Sequence, residues 1–186
     1  MLKKKILKKI IKKNNFIYNF FREIYRFYNN IKLKYFSGSN KDIFTEIYIK
    51  NKWGDSNSFS GTGSNIEQTK YILKELPNVI KKYKIKSILD IPCGDFYWMK
   101  EYNFKNLNYI GADIVSDLIK KNNDRYGTKN INFKTLDIIN NDLPYSDLLF
   151  CRDCLVHLSF NDIFNALRNI KRTKFKYFMT TNFLKR

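Results

Sequence analysis

Aspartates close successive apolar runs along this chain, and the chemistry open to them depends on where those runs end. Ser87-Ile-Leu-Asp90 leads at once into Ile-Pro-Cys-Gly94-Asp95. Asn108-Tyr-Ile-Gly-Ala-Asp113 ends on another acid, Leu136-Asp137 closes a third run, and Arg152-Asp153 follows a fourth. If the runs are neighbouring parallel strands, these acids share the rim beyond the strands' carboxyl ends, where open parallel sheets bind ligands. Gly94 removes a side chain so that backbone can approach a ligand, while Pro92 stiffens the exit and lacks a ladder donor. At the second strand's tip, Asp113 is placed to accept both hydroxyls of a ribose. Asp137, one strand further on, could meet an adenine amino group. Together they suit a nucleoside.

The most reactive-looking stretch is CRDCLVHLS, residues 151–159. Arg152 and Asp153 would orient a substrate at the rim, and His157, the only histidine, would take a proton from an attacking hydroxyl or amine. The blander readings are an exposed ion pair for the first two and, for His157, a partly buried imidazole bonded to a backbone carbonyl. Zinc held by Cys93, Cys151, Cys154 and His157 is disfavoured, since no second C-x-x-C exists and thiols fill cores well. No metal is expected. A redox dithiol is a further option for Cys151 and Cys154. Phe96, Tyr97 and Trp98 would wall an adenosine, stack on an acceptor or fill the core.

The elements that must position these residues show as short, nearly continuous apolar runs: 87–91, 108–113, 131–137, 147–151 and 176–181. Such runs read as parallel strands covered on both faces. Helices are predicted over residues 116–126, closed by Gly127 as C-cap, and after Asn161, whose Ile163, Phe164, Leu167 and Ile170 form one apolar stripe. Residues 138–146 are too few for a crossover helix and predict a loop, which when extended reaches about 30 Å. Upstream, a Ser/Gly loop passes into a helix in which Ser64 and Glu67 fit a capping box, and which should stop before Pro77. Gly61, Gly63 and Ser64 open onto that helix start, where free N–H groups could hold a carboxylate or phosphate. The fold class expected is α/β: a Rossmann-like, doubly wound, mostly parallel sheet of about five strands, with an N-terminal basic amphipathic helix.

A nicotinamide-binding fold would need G-x-G-x-x-G at the first turn, which offers only Gly94. Over roughly residues 42–183 the sequence instead resembles the class I S-adenosylmethionine-dependent methyltransferases. LDIPCGD is similar to their first motif, the Asp113 strand to the ribose-binding motif, Leu136-Asp137-Ile138 to the adenine-side motif, and CRDCLVHLS to the segment after the fourth strand. The resemblance implies S-adenosyl-L-methionine as cofactor, with Asp90, Gly94 and Asp95 around its methionine part, Asp113 on the ribose and Asp137 at the adenine edge. Residues 60–64, with Gly61, Gly63 and Ser64, would close over the methionine carboxylate. Arg152, Asp153 and His157 would then serve methyl transfer to a small-molecule or glycan-type acceptor.

Two departures stand out. Pro92 replaces the first glycine of D-x-G-x-G, with Phe96 where a later glycine often lies. Family members also continue past the fifth strand with a helix and an antiparallel strand pair, whereas this chain ends at Arg186. The expectation is a C-terminally truncated member whose open sheet edge an oligomer, another partner or the N-terminal arm would cover. One alternative is an incomplete, inactive binding subunit that keeps the adenosyl pocket. Another is an RNA methyltransferase, disfavoured because Cys-Arg-Asp-Cys stands where a base-gripping tetrad would.

Three regions are expected: a basic amphipathic arm (1–36), a helical cap (37–84) and the Rossmann-like core (85–186). Of the formal charge of +18, residues 1–34 hold +10, with eleven Lys and Arg against Glu23. That arm suits an anionic membrane surface, a nucleic-acid backbone or a packing role. Nucleic acid is disfavoured as a partner, because Lys, Asn, Ile, Phe and Tyr are over-used throughout. Three cysteines and no secretory signal point to free thiols and a cytoplasmic location, with peripheral contact at the inner membrane face through the arm.

Overall fold

The structure is a computed structural model that describes residues 38–53 and 56–181. It divides into two compact units, Met1–Ile43 and Phe44–Arg186, and of the first only residues 38–43 are described. The amphipathic helix expected over residues 1–36 lies outside the described residues, as do residues 182–186. Helix α1 (Asn40–Ile49) opens on a reciprocal cap, in which the Ser39 N–H donates to Asp42 Oδ2 at 2.9 Å and the Asp42 N–H to Ser39 Oγ at 3.3 Å.

Within the second unit five strands form one sheet: β1 (Ser87–Asp90), β2 (Asn108–Asp113), β3 (Ile131–Thr135), β4 (Leu148–Cys151) and β5 (Tyr177–Thr180). Every pairing is parallel and the order is β3-β2-β1-β4-β5, so the winding reverses between β1 and β4. Helices α2 (Ile66–Tyr83), α3 (Ser116–Tyr126) and α4 (Phe160–Thr173) complete the doubly wound layout. On one face Ile88, Tyr109, Phe133 and Phe150 pack with Phe96, Trp98 and Phe104, under Leu76 of α2 and Leu118 of α3. On the other face Leu89, Ala112 and Leu149 meet Ala166 and Ile170 of α4, and Leu143 from the β3–β4 connection. Phe96 and Trp98 are therefore core side chains, and burial of each is worth about 2 kcal/mol. Residues 138–146 contain no helix, as their length predicts. Along β5, Tyr177 and Phe178 stay 38% and 41% exposed.

Three boundary expectations are corrected. Asn65, not Ser64, caps α2, accepting the Gln68 N–H at 2.9 Å, because Thr62–Ser64 close first as a 3₁₀ turn. Glu67, left one position short of the capping-box site, pairs with Lys70 instead. The same helix runs through Pro77 to Tyr83. A proline there costs one helical donor, but Leu76 is buried and Ile72, Leu73, Val79 and Ile80 pack on both sides of it, so tertiary burial outweighs the loss. Finally, Ser159 rather than Asn161 caps α4, exchanging bonds with Asp162 at 3.1 and 2.8 Å. Gly127 is the C-cap of α3 as expected, in extended rather than left-handed backbone.

Candidate functional site

β1 ends abruptly because its continuation is a turn still tied to both neighbours. The Ile91 N–H donates to Phe150 O of β4 at 2.9 Å and the Cys93 N–H to Ala112 O of β2 at 2.8 Å. Pro92, between them, joins Ile91 through a cis peptide. The turn thus sits where the winding reverses, and Gly94 at its tip has φ +55°. A β-carbon on Gly94 would lie 2.1 Å from Ser60 Oγ, so the glycine is required by close approach as well as by backbone conformation.

Two carboxyls are buried beside this turn. Asp90 accepts the Tyr109 hydroxyl at 2.6 Å. Burial pushes its carboxyl up to about 7, against the pull of Tyr109 and of the Arg152 charge. Asp113, at the end of β2, accepts the Gly94 N–H at 3.2 Å and the Val115 N–H at 3.1 Å. Burial raises it to about 6, opposed by the backbone N–H groups of Val115, Gly94 and Ile114. A carboxylate offers about four acceptor positions, so these donors leave room for a ligand hydroxyl.

Asp95 faces the other way. Its Oδ1 accepts Ser58 Oγ at 3.0 Å and Ser60 Oγ at 3.2 Å, its Oδ2 accepts the Phe59 N–H at 2.8 Å, and its own N–H donates to Ser60 Oγ at 3.0 Å. Arg152 holds the far end of the same loop, with Nη2 donating to Gly63 O at 2.7 Å and pairing with Asp153 at 2.9 Å. Its guanidinium lies 5.8 Å from the Trp98 ring centre, and its Nε is buried without a partner. Gly61 (φ +89°) packs against Trp53, whose ring lies 5.3 Å from that of His157. Residues 58–64 therefore cross above the turn after β1, bound to it at one end and to the turn after β4 at the other.

The remaining candidates are less convergent. Asp137 stands past the end of β3 and caps its own turn, accepting the Ile139 N–H at 2.8 Å and Asn140 Nδ2 at 2.7 Å. Asp153, at φ +50°, donates its N–H to Thr181 Oγ1 at 2.8 Å and gives its carboxylate to Arg152. His157 lies in the 3₁₀ turn Leu155–His157 with its ring against Trp53, and desolvation holds it below the ordinary imidazole value while Asp153 pulls it back. Ser64 closes the loop's 3₁₀ turn through its N–H to Gly61 O at 2.9 Å. Among the described residues no three His, Cys, Asp or Glu side chains gather as a metal site. Cys93 and Cys151 are buried with their thiols pushed upward, Cys93 by burial and Cys151 first by its bond with Cys154, which is itself half-buried. Thiols held protonated are poor nucleophiles and poor metal ligands.

Sequence reasoning missed Ser58, Trp53 and Tyr109. Ser58 and Trp53 sit in a polar, Gly/Ser-rich stretch that reads as loop. Tyr109 reads simply as an apolar strand residue, and only its register across from Ile88, two residues before Asp90 and so on the same face of β1, brings its hydroxyl to that acid.

No protein-family model and no curated protein matches the sequence. Solved structures do match the fold. The methyltransferase domain of bacterial CtHen1 superposes with a TM-score of 0.51 at 16% identity, over 62% of this chain and 65% of its own. DhpI, in a complex named DhpI-SAM-HEP, gives 0.52 at 15% identity, over 74% and 63%. The N-methyltransferase NodS from Bradyrhizobium japonicum, solved with S-adenosyl-L-homocysteine, gives 0.54 at 14%, over 68% and 67%. The chain thus spans less than two thirds of the CtHen1 and DhpI chains that it matches. With its parallel order and its turn at the β1/β4 reversal, the chain has the fold of the class I S-adenosylmethionine-dependent methyltransferases.

Proposed function

We propose that the protein is a methyltransferase that binds S-adenosyl-L-methionine at the turn after β1 and methylates a small-molecule or saccharide acceptor. The observation that carries this reading is Asp113, fixed at the tip of β2 by the Gly94 N–H of that turn. Such a carboxylate stands beyond the strands' carboxyl ends at the point of winding reversal, a position that suits a nucleoside hydroxyl. DhpI and NodS, which share the fold, were solved with the methyl donor or its demethylated product.

The cofactor would supply an activated methyl group on a sulfonium, and this chain's residues do the rest. Asp113 is assigned to the ribose and Asp137 to the adenine edge. Gly94 and the loop with Gly61, Gly63 and Ser64 enclose the methionine part. Asp90 stays beneath the turn, its carboxyl held by Tyr109 rather than free to coordinate. In-line methyl transfer depends chiefly on alignment and water exclusion, so the machinery is mostly positional. His157, kept neutral, is the candidate base for a hydroxyl or amine acceptor. Arg152 and Asp153 spend their charges on each other and on Gly63, which favours a structural role over direct acceptor binding.

Calorimetry with S-adenosylhomocysteine tests the reading. Wild type should bind, Asp113→Ala should lose at least a hundredfold in affinity, and His157→Ala should bind normally. Absence of heat at millimolar ligand would remove the proposal.

A further inference from the structure

Residues 58–64 are bound to both turns that flank the winding reversal. Asp95 supplies or receives four hydrogen bonds at one end, with Ser58, Phe59 and Ser60. Arg152 supplies the Gly63 contact at the other. Between them the Ser60 hydroxyl rests directly over Gly94, in the space that any side chain at 94 would fill. On the methyl-donor reading, a ligand at the strands' carboxyl ends at this reversal would lie against that crossing.

We propose that residues 58–64 form a strap over the ligand pocket, and that Asp95 and Arg152 are its two latches: positioning residues that set how fast the ligand exchanges. The inference rests on the methyl-donor reading for the identity of the ligand. It changes what the two charged residues are for. Neither touches substrate; each acts through the backbone and hydroxyls of the strap.

The energetics favour the closed position. Asp95 accepts three bonds from strap donors and one from the Tyr97 N–H of its own turn, and bonds to a carboxylate are the stronger ones. Arg152 is mostly enclosed, and its Nε already lacks a partner, so releasing Gly63 O would leave a second donor of the same guanidinium unmet. The latches therefore reinforce each other. The segment between them contains Gly61 and Gly63, whose backbone can rearrange at little steric cost. Trp53 packs on Gly61 and on His157, tying the strap's midpoint to the same turn that carries Arg152.

Stopped-flow displacement of S-adenosylhomocysteine, run beside amide hydrogen exchange of the ligand-free protein, tests the proposal. Asp95→Ala should raise the dissociation rate at least tenfold with little change in association rate, and should strip protection from residues 58–64 while β1, β2 and β4 keep theirs. Arg152→Lys keeps the charge near Asp90 but loses the planar reach to Gly63, so it should raise the dissociation rate severalfold. Asp95→Asn, which retains one acceptor oxygen, should fall between wild type and Asp95→Ala. A wild type that binds while Asp95→Ala dissociates at the wild-type rate would overturn the latch assignment and leave the methyl-donor reading standing. A wild type that shows no binding would sink the methyl-donor reading, and the strap's role with it.

Discussion

Asp90 is a carboxyl that the fold holds away from water, and this gives it a consequence for pH. Its folded value, about 7, lies far above the 3.8 of an unperturbed aspartate, and Asp113 at about 6 follows the same pattern. A group that binds its proton more tightly when folded stabilises the native state while protonated, and that contribution is lost as pH rises from the unfolded value through the folded one. Stability should therefore decline between about pH 4 and pH 7, by roughly 1 kcal/mol per pH unit for each group at its steepest. Asp147, whose bond with Lys176 depresses it, acts in the opposite sense below that range. Urea denaturation should show greatest stability on the acid side of neutrality, and Asp90→Asn should flatten the decline; a profile rising steadily from pH 4 to 7 would contradict it. The acids at the rim were legible in the sequence because they end apolar runs. Their partners were not, since Asp95 reaches Ser58 across 37 positions and Arg152 reaches Gly63 across 89. No local pattern encodes contacts of that span.

At the level of elements, α2 offers a direct measurement. Asn65 is the cap whose side chain satisfies an otherwise orphaned N–H, so Asn65→Ala should cost about 1 kcal/mol in a urea titration. Ser64→Ala, which removes no capping bond, should cost a few tenths by the same principle. Equal losses would restore Ser64 as the cap. The sequence favours Ser64 because the capping box weighs only residue types and spacing, whereas the 3₁₀ turn that consumes Ser64 forms through Gly61 and its positive φ. Pro77 misleads for a related reason: local chemistry stops the helix there, and the buried face that carries it onward belongs to the tertiary structure. The central strands β1 and β4 were readable to within a residue, because burial on both faces leaves few polar positions inside them, whereas β3 and β5, at the sheet's edges, are largely exposed.

For the molecule as a whole, the formal charge of +18 is a repulsive load that the fold must carry. Salt shortens the range of that repulsion to about 10 Å at 0.1 M. The melting temperature should accordingly climb by several degrees, on the order of 1 kcal/mol or more of stabilisation, between low salt and about 0.3 M. A melting point that falls with salt would mean that ion pairs such as Lys176 with Asp147 outweigh the general repulsion. The same architecture also sorts the chain's three thiols by access, with Cys93 and Cys151 enclosed and Cys154 partly open to solvent. A maleimide dye applied to the native protein should therefore couple with a stoichiometry near one, at Cys154, as intact mass would register. The fluorophore would stand two residues from Arg152, so its emission would report optically on any displacement of the segment that Arg152 holds.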